Sequence, residues 1–272
     1  MNIKLIALDM DGTTLNTEHQ VTPANKEAIK AALSKNVEVV ISTGRSNTEL
    51  FPILKQFPEI RYFICGNGAK IYDKTLDKNI FEDFLPFSVA TNLIDIAKDY
   101  LVTPEIYVNN HIYTNKHFYD YITDFISEPH LISLIQQSRT PLQDLSDFLQ
   151  NWQKPIEKIN MFYTDENERN RLFAVLNKMD VALTSSLEHN LEINSPTASK
   201  GTALHHLCQS LHIESPDVMA IGDGHNDISM LRYAGCSVAM GNAIPSARNA
   251  ARFTTLTNTE SGVAFAINEH VL

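Results

Sequence analysis

Two aspartates separated by one residue follow a short apolar run near the start of the chain. The run, residues 3–8, reads Ile-Lys-Leu-Ile-Ala-Leu, and Asp9 and Asp11 come directly after it. A short, nearly continuous apolar run is typical of a strand whose sheet is covered on both faces. Side chains two residues apart point the same way on an extended chain, so we expect both carboxylates at the carboxyl end of this strand.

Such a pair of carboxylates suits a hard divalent cation with oxygen ligands. Two anions this close repel each other unless a cation or a proton lies between them. The carboxyl ends of strands are also where open α/β sheets bind ligands. A turn is the competing interpretation, because Asp-Gly is a common turn pair and Asp caps helices. A turn accounts for one aspartate and for Gly12, but not for a second aspartate at the strand end.

Three further segments place polar residues at predicted strand ends or helix starts. They read Ser-Thr-Gly-Arg at 42–45, Ser-Lys-Gly at 199–201 and Gly-Asp-Gly-His-Asn-Asp at 222–227. Phosphoryl transfer uses these groups: carboxylates hold Mg²⁺, hydroxyl and backbone N–H groups bind phosphoryl oxygens, and a lysine neutralises developing charge. A free carboxylate can attack phosphorus and form an aspartyl-phosphate. Each segment alone is typical of a turn, a cap or a surface residue, so the prediction depends on their joint occurrence.

Alternating strands and helices connect these segments, and they predict an α/β core with a doubly wound parallel sheet. The predicted strands lie at 3–8, 37–41, 62–65, 217–221 and 237–240. One helix is predicted to start at Pro23 with Thr22 as its cap, and another at Lys200 with Ser199 as its cap.

The pattern changes in the middle of the chain. Asn109 and Asn110 lie between two short β-type runs and predict a hairpin, because asparagine tolerates positive φ. A second hairpin is predicted near residue 190, and helices lie between the two hairpins, which indicates an antiparallel α+β module. We therefore predict a core at 1–81 and 191–272 and an inserted cap domain at 82–190, in which 115–155 has no assigned order of elements.

The composition limits the classes of partner. The chain has 22 Lys and Arg residues against 32 Asp and Glu residues, a net charge of −10, which disfavours nucleic acid. Cys65, Cys208 and Cys236 are far apart and lack metal-ligand spacing, so we expect reduced core thiols. No leader precedes Asp9 and no apolar run has the length of a membrane span, so we expect a cytoplasmic protein without a membrane partner.

Taken in order, the four segments resemble the motifs of the haloacid-dehalogenase-like (HAD) hydrolase superfamily. The insertion between the second and third segments, and Asn67-Gly68-Ala69 after the third predicted strand, are similar to the Cof-type branch with its type IIB cap. The resemblance covers essentially the whole chain and is weakest at 115–155. It implies a Rossmann-like core, an inserted α/β cap and a Mg²⁺-dependent phosphatase.

The resemblance also implies the chemical roles. Asp9 is the nucleophile and a Mg²⁺ ligand, and Asp11 is the general acid and then the base, with its backbone carbonyl on the metal. Asp223 is the third protein ligand of the metal. Lys200 bridges Asp9 and the phosphate, and Asp227 orients the metal shell or Lys200.

The remaining motif residues are expected to bind the substrate. The phosphoryl group is expected to be bound by Thr43, by the Gly44 amide and by the backbone around Met10. Thr43 is also expected to be a catalytic residue. Asn226 contacts phosphate, and Arg45 is assigned to the substrate.

We therefore predict a phosphomonoester hydrolase for small phosphorylated metabolites that works through an aspartyl-phosphate. Sugar phosphates are the leading substrate class, with pyridoxal phosphate and flavin mononucleotide left open. One alternative is a phosphomutase of the same superfamily, which returns the phosphoryl group to a sugar. Another is a phosphorylation-controlled binding module such as a receiver domain, although receivers are much shorter and lack the Asp-x-Asp pair. A non-catalytic relative is disfavoured because no motif residue is missing.

Overall fold

The structure is a computed structural model that describes residues 2–186 and 189–272. The strands, in chain order, are β1 (Leu5–Leu8), β2 (Glu38–Ser42), β3 (Tyr62–Cys65), β4 (Lys70–Asp73), β5 (Lys78–Glu82), β6 (Val102–Val108), β7 (His111–Asn115), β8 (Arg139–Leu142), β9 (Lys158–Tyr163), β10 (Ala182–Thr184), β11 (Asn190–Asn194), β12 (Val218–Gly222), β13 (Cys236–Ala239) and β14 (Phe253–Thr254). The α-helices are α1 (Pro23–Ser34), α2 (Asn47–Leu54), α3 (Phe87–Ala97), α4 (Lys116–Asp120), α5 (Pro129–Ser138), α6 (Leu145–Trp152), α7 (Glu166–Leu176), α8 (Lys200–Leu211), α9 (Ile228–Tyr233), α10 (Pro245–Ala250) and α11 (Gly262–His270).

The chain divides into two compact units. The first contains the chain up to Gly44 together with Ile53–Glu82 and Ser199–Leu272. The second contains Arg45–Pro52 and Asp83–Ala198. The chain therefore enters the second unit twice, once briefly after β2 and once for the long insertion.

The strands of the first unit form one mixed sheet. Its order within the described residues is β14-β13-β12-β1-β2-β3-β4-β5, and β1 lies parallel to both neighbours. All four residues of β1 are fully buried, as expected of a strand covered on both faces. The predicted α/β class is confirmed. The antiparallel pairing of β3 with β4 and of β4 with β5 extends the sheet beyond its parallel part and was not predicted.

Side-chain caps start two helices where the sequence predicts them. The Thr22 hydroxyl accepts the N–H of Asn25 at the start of α1. The Ser199 hydroxyl accepts the N–H of Thr202 at 3.0 Å at the start of α8. These caps satisfy N–H groups that have no partner within the helix. The second cap places Lys200 in the first turn of α8.

The second unit is built on a separate, mainly antiparallel sheet. Its order among the described residues is β10-β11-β9-β6-β7-β8, and only the β7–β8 pair is parallel. Asn109 and Asn110 make the β6–β7 turn with φ of 50° and 66°, as predicted. The predicted return to the core at residue 191 differs from the structure, because β11 pairs with β9 and the first unit resumes only at Ser199.

The segment without a predicted order, 115–155, contains α4, α5, β8 and α6. From α4 to α5, Phe118, Ile122 and Ile135 pack against Phe162 of β9 and form a small apolar cluster. Helix α6 instead joins the main apolar cluster of the second unit, together with α3 and α7.

A buried group of charges joins residues 45–52 to the sheet of the second unit. The Arg139 guanidinium donates to Glu49 and, at 3.0 Å, to Glu105 Oε1, and all three side chains are at most 4% exposed. Burial raises the pKa of Glu49, but Arg139 and the Ser46 N–H lower it further, so the pKa lies below its ordinary value. Glu49 is therefore charged and paired at neutral pH.

None of the helices within residues 2–186 and 189–272 is both long and apolar enough to cross a membrane. Cys65, Cys208 and Cys236 are buried, and none of the three is in a disulfide bond. They lie in the first unit, as expected of core thiols.

Replacing Arg139 by Met should destabilise the second unit. The substitution leaves Glu49 and Glu105 buried without their cation, which typically costs about 3–5 kcal/mol of unfolding free energy. Urea unfolding followed by circular dichroism measures this loss. Lys116→Met is the control, because Lys116 pairs with Asp120 at the surface and should cost less than about 1 kcal/mol. Equal losses in the two variants would contradict the structural role of Arg139.

The same comparison should depend on pH. Because the folded-state pKa of Glu49 is below its ordinary 4.5, the pair stabilises the fold above that pH and the contribution is lost as pH falls through the folded-state pKa. The difference in unfolding free energy between wild type and Arg139→Met should therefore shrink from about pH 6 to about pH 3. A difference that stays constant over this range would argue against a charged Glu49.

Candidate active site

Asp9 lies at the carboxyl edge of the central strand, and its backbone is held on both sides. Its N–H donates to the Ile221 carbonyl of β12 at 3.1 Å. The chain then makes a tight turn in which Gly12 has a φ of 77°. The Thr14 hydroxyl donates to the Asp9 carbonyl at 2.6 Å. The Asp9 side chain is thereby directed from a fixed backbone, and it is only 6% exposed.

Lys200 joins the first and fourth segments. Its Nζ donates to Asp9 Oδ1 and to Asp227 Oδ1, each at 2.6 Å, and the side chain is fully buried. Burial lowers the pKa of this ammonium, but Asp227 and Asp9 raise it more, so the pKa lies above its ordinary value. Lys200 is therefore a permanent cation inside a cluster of carboxylates.

Asp227 uses both carboxylate oxygens within the protein. Oδ1 accepts from Lys200, and Oδ2 accepts the N–H groups of Asp223 and Gly224, each at 2.8 Å. A Cβ atom at Gly222 would lie 2.5 Å from Asp227 Cγ, so only glycine permits this approach. Asp227 thus holds Lys200 and the loop that presents Asp223, a position consistent with the orienting role predicted for it.

Three carboxylates, of which those of Asp9 and Asp227 are buried and that of Asp223 is half-buried, form a candidate metal centre. Asp9, Asp223 and Asp227 each offer an oxygen within 4.8 Å of the others. Burial and the charge of Asp227 raise the pKa of Asp223 to about 6, and the same two causes raise the pKa of Asp9. A cation relieves this repulsion. Both oxygens of Asp227 already accept hydrogen bonds within the protein, so Asp9 and Asp223 are the carboxylates that best fit a hard divalent cation.

Asp11 is not one of the three carboxylates of this cluster. It is half-buried in the turn after Asp9, with φ of −78° and ψ of 122°. Its charge contributes to the raised pKa of Asp223, which indicates that the two carboxylates are near each other. The third carboxylate of the cluster is thus Asp227 and not Asp11. Ligation of a metal by the Asp11 backbone carbonyl stays a prediction.

Thr43 follows β2 as Asp9 follows β1, so both lie at the same edge of the sheet. The Thr43 N–H donates to the Ile64 carbonyl at 2.9 Å, and the Thr43 carbonyl accepts from Asn67 N–H at 3.0 Å. Asn226 Nδ2 donates to Asn67 Oδ1 at 3.1 Å. Hydrogen bonds through Asn67 therefore link the second segment to the fourth.

The binding roles of Met10, Gly44 and Arg45 stay predictions. Met10 is buried in the turn after Asp9, and Gly44 is the last residue before the chain enters the second unit. Arg45 is the first residue of the second unit, where its charge lowers the pKa of Glu49.

Three contacts near the carboxylates were not predicted. The Thr13 hydroxyl donates to Asp223 Oδ1 at 2.8 Å. Asn242 Nδ2 donates to the Gly12 carbonyl at 2.8 Å. Thr13 lies within the first segment, so the sequence could have indicated its role. No pattern in the sequence around Asn242 indicates its contact. The third contact, between Asn67 and Asn226, joins residues 159 positions apart.

The chain is similar to known proteins over nearly its whole length. The sequence profile of the haloacid dehalogenase-like hydrolases matches residues 6–267. Phosphatase YwpJ of Bacillus subtilis is 34% identical, over 99% of this chain and 100% of that protein. From the same organism, 5-amino-6-(5-phospho-D-ribitylamino)uracil phosphatase YcsE is 32% identical, over 100% of this chain and 97% of that protein. A solved haloacid dehalogenase-like hydrolase from B. subtilis has a TM-score of 0.87 and 30% identity, covering 99% of this chain and 100% of its own.

Replacing Gly12 by Ala should weaken the binding of a divalent cation. The new Cβ would lie 2.3 Å from Asp223 Oδ2, and the φ of 77° disfavours a side chain. We expect Mg²⁺ affinity, measured by titration calorimetry, to fall about 10–100-fold, as for other disturbed metal-ligand supports.

Gly66→Ala is the matched control for that variant. Gly66 also has a positive φ, 59°, but its Cβ would meet only the Ala69 Cβ, at 3.3 Å. It shares the backbone strain without touching a carboxylate, so its Mg²⁺ affinity should stay near wild type. An unchanged Mg²⁺ affinity in Gly12→Ala, or the same loss in both variants, would contradict Asp223 as a ligand of the divalent cation.

Proposed function

Because the chain belongs to the haloacid dehalogenase-like hydrolase family, we propose that it is a Mg²⁺-dependent phosphatase that forms an aspartyl-phosphate on Asp9. The relatives named above are phosphatases, which supports phosphomonoester hydrolysis as the reaction. Two hydrogen bonds carry the proposal for this chain, those from Lys200 Nζ to Asp9 and to Asp227. They hold a buried carboxylate and a permanent cation together at the edge where α/β sheets bind ligands.

In the first half-reaction, a carboxylate oxygen of Asp9 attacks phosphorus in line and the leaving alkoxide departs. The attack needs an ionised Asp9, whereas burial and the neighbouring aspartates raise its pKa. Lys200 lowers that pKa, and charge neutralisation by a bound cation lowers it further. Lys200 also offsets the negative charge that develops on the phosphoryl oxygens.

Asp11 supplies the proton chemistry in this proposal. As a carboxylic acid it protonates the leaving alkoxide, and as a carboxylate it then takes a proton from the water that cleaves the aspartyl-phosphate. Its carboxylate is not one of the three that form the candidate metal centre.

Mg²⁺ fits the available donors, which are the carboxylates of Asp9 and Asp223 and the backbone carbonyl of Asp11. When bound, Mg²⁺ supplies Lewis-acid neutralisation of the phosphoryl oxygens. The Thr13 hydroxyl and the Asp227-bound loop fix the carboxylate of Asp223 toward this site.

The phosphoryl group is assigned to donors from three segments. The backbone around Met10, the Thr43 hydroxyl with the Gly44 amide, and the Asn226 side chain bind its oxygens. Arg45 contacts the substrate. Thr43 and Asn226 are linked through Asn67, which supports their acting on the same group.

We assign recognition of the leaving group to the second unit, which acts as a cap that excludes water from the reaction. This unit contains Arg45 but none of the other motif residues, so the chemistry belongs to the first unit. Sugar phosphates are the proposed substrates. The name of YcsE supports this class, because its substrate carries the phosphate on a ribityl chain. A panel of sugar phosphates, pyridoxal phosphate and flavin mononucleotide distinguishes among the candidate substrates, and no preference for the sugar phosphates would contradict this assignment.

Asp9→Asn should abolish turnover and leave the fold intact, because an amide does not attack phosphorus. We expect kcat for p-nitrophenyl phosphate to fall by at least about 10³-fold, or about 4 kcal/mol in the barrier. Asp217→Asn is the control, since Asp217 pairs with the surface residue Lys4. Activity of Asp9→Asn within about tenfold of wild type would refute Asp9 as the nucleophile.

Removal of divalent cations should also abolish activity. Dialysis against EDTA should leave an inactive, folded protein that added Mg²⁺ restores. Ca²⁺ should inhibit, because it takes more ligands at longer distances than the octahedral Mg²⁺ and so disturbs the in-line alignment. Full activity after exhaustive chelation would contradict the metal requirement.

A further inference from the structure

Three consecutive residues after β3 have left-handed backbone conformations. Gly66, Asn67 and Gly68 have φ of 59°, 59° and 98°. Glycine adopts such angles readily, whereas a residue with a side chain adopts them at a cost in free energy. Asn67 is nevertheless at the centre of the loop and only 3% exposed. Glycine would satisfy the backbone at lower cost, so the asparagine side chain calls for its own explanation.

The loop 66–68 contacts three of the four motif segments. Asn67 N–H donates to the Thr43 carbonyl at 3.0 Å, and Asn67 Oδ1 accepts from Asn226 Nδ2 at 3.1 Å. Gly68 packs so closely on the start of α8 that a Cβ there would lie 2.1 Å from the Ser199 carbonyl oxygen. The second, third and fourth segments therefore meet at one short loop.

The hydrogen bond to Asn67 determines the orientation of the Asn226 side-chain amide. Asn67 Oδ1 is an acceptor, so it is satisfied by Asn226 Nδ2 and would repel Asn226 Oδ1. Asn226 Oδ1 lies toward Gly224, where a Cβ would be 2.9 Å away. This orientation leaves the second Nδ2 hydrogen for an anion, whereas the flipped amide would present an oxygen.

We propose that Asn67 is a positioning residue for phosphate binding. Its backbone N–H holds the Thr43 segment, and its side chain holds Asn226 with donors toward the phosphoryl group. This inference rests on the proposed function, in which Thr43 and Asn226 bind phosphoryl oxygens. In this role Asn67 does not contact phosphate itself but acts through Asn226 and Thr43.

A double-mutant cycle tests this proposal. Asn67→Gly keeps the left-handed backbone and its N–H but removes the acceptor for Asn226. Each of Asn67→Gly, Asn226→Ala and the double variant is measured for inorganic phosphate affinity by calorimetry with Mg²⁺ present, and for kcat/KM with p-nitrophenyl phosphate. Asn36→Gly is the matched control, because Asn36 has a φ of 61° and is exposed at the end of α1.

The expected result is strong coupling between the two positions. Asn67→Gly should weaken phosphate affinity roughly 3–30-fold, and Asn226→Ala should add little in that background, as for residues that act as one unit. Asn36→Gly should change neither quantity. The proposal is overturned if Asn226→Ala has the same effect in Asn67→Gly as in wild type, since a purely structural Asn67 gives independent losses.

Four further outcomes keep the test decisive. If Asn67→Gly does not fold, the cycle uses Asn67→Asp, which keeps an acceptor and tolerates positive φ; there Asn226→Ala must retain its wild-type effect, and its loss would overturn the proposal. If wild type binds phosphate but does not hydrolyse the ester, the proposed function fails while the binding cycle still decides the role of Asn67. If wild type neither binds phosphate nor hydrolyses the ester, both are refuted, and if it hydrolyses the ester without binding phosphate, the cycle in kcat/KM decides the role of Asn67.

Discussion

The rest of the first unit depends on one buried interaction, in which the Lys200 ammonium lies between the carboxylates of Asp9 and Asp227. With all groups ionised, the cluster of Asp9, Asp223 and Asp227 carries −3, and Lys200 reduces this to −3 + 1 = −2. Buried charges of this kind are stable only when they are paired. A divalent cation supplies the missing charge, so the raised pKa values of Asp9 and Asp223 and the proposed metal requirement have the same physical origin.

Close backbone contacts bring the segments that carry these charges together. Gly12 lies against Asp223, Gly222 against Asp227, and Gly68 against the carbonyl of Ser199. At each position a Cβ would come within 2.5 Å of the neighbouring atoms. Gly12 and Gly68 thereby set distances between segments that are remote in sequence, and Gly222 allows the loop of the fourth segment to fold onto Asp227. The electrostatic cluster therefore forms only because the backbone can approach it this closely.

Local signals in the sequence were sufficient for much of the fold. The caps at Thr22 and Ser199 and the Asn109 turn depend on neighbouring residues, and the structure has each of them where it was predicted. The predicted return to the first unit at residue 191 is too early, because β11 pairs with β9 inside the second sheet. Residues 45–52 belong to the second unit, where Glu49 pairs with Arg139, 90 residues away, and no local pattern indicates this contact.

The candidate site shows the same division between local and long-range information. The spacing of Asp9 and Asp11 and the loop around Asp223 predicted a cluster of oxygen ligands, and the structure brings Asp9 and Asp223 together with Asp227. The sequence alone could not predict that Asp227, rather than Asp11, contributes the third carboxylate. That outcome depends on how a turn directs one side chain, which the residue type alone does not determine.

The proposed mechanism requires a covalent phosphoryl group on Asp9, and trapping this group is its most direct test. The Asp11→Asn variant, which lacks the base for the second step, would be mixed with p-nitrophenyl phosphate and Mg²⁺, quenched in acid and mapped by peptide mass spectrometry. We expect a single hydroxylamine-sensitive phosphoryl group on Asp9, and none in the double variant that also carries Asp9→Asn. A phosphoryl group on another residue, or turnover in wild type with no phosphoenzyme in the variant, would contradict it.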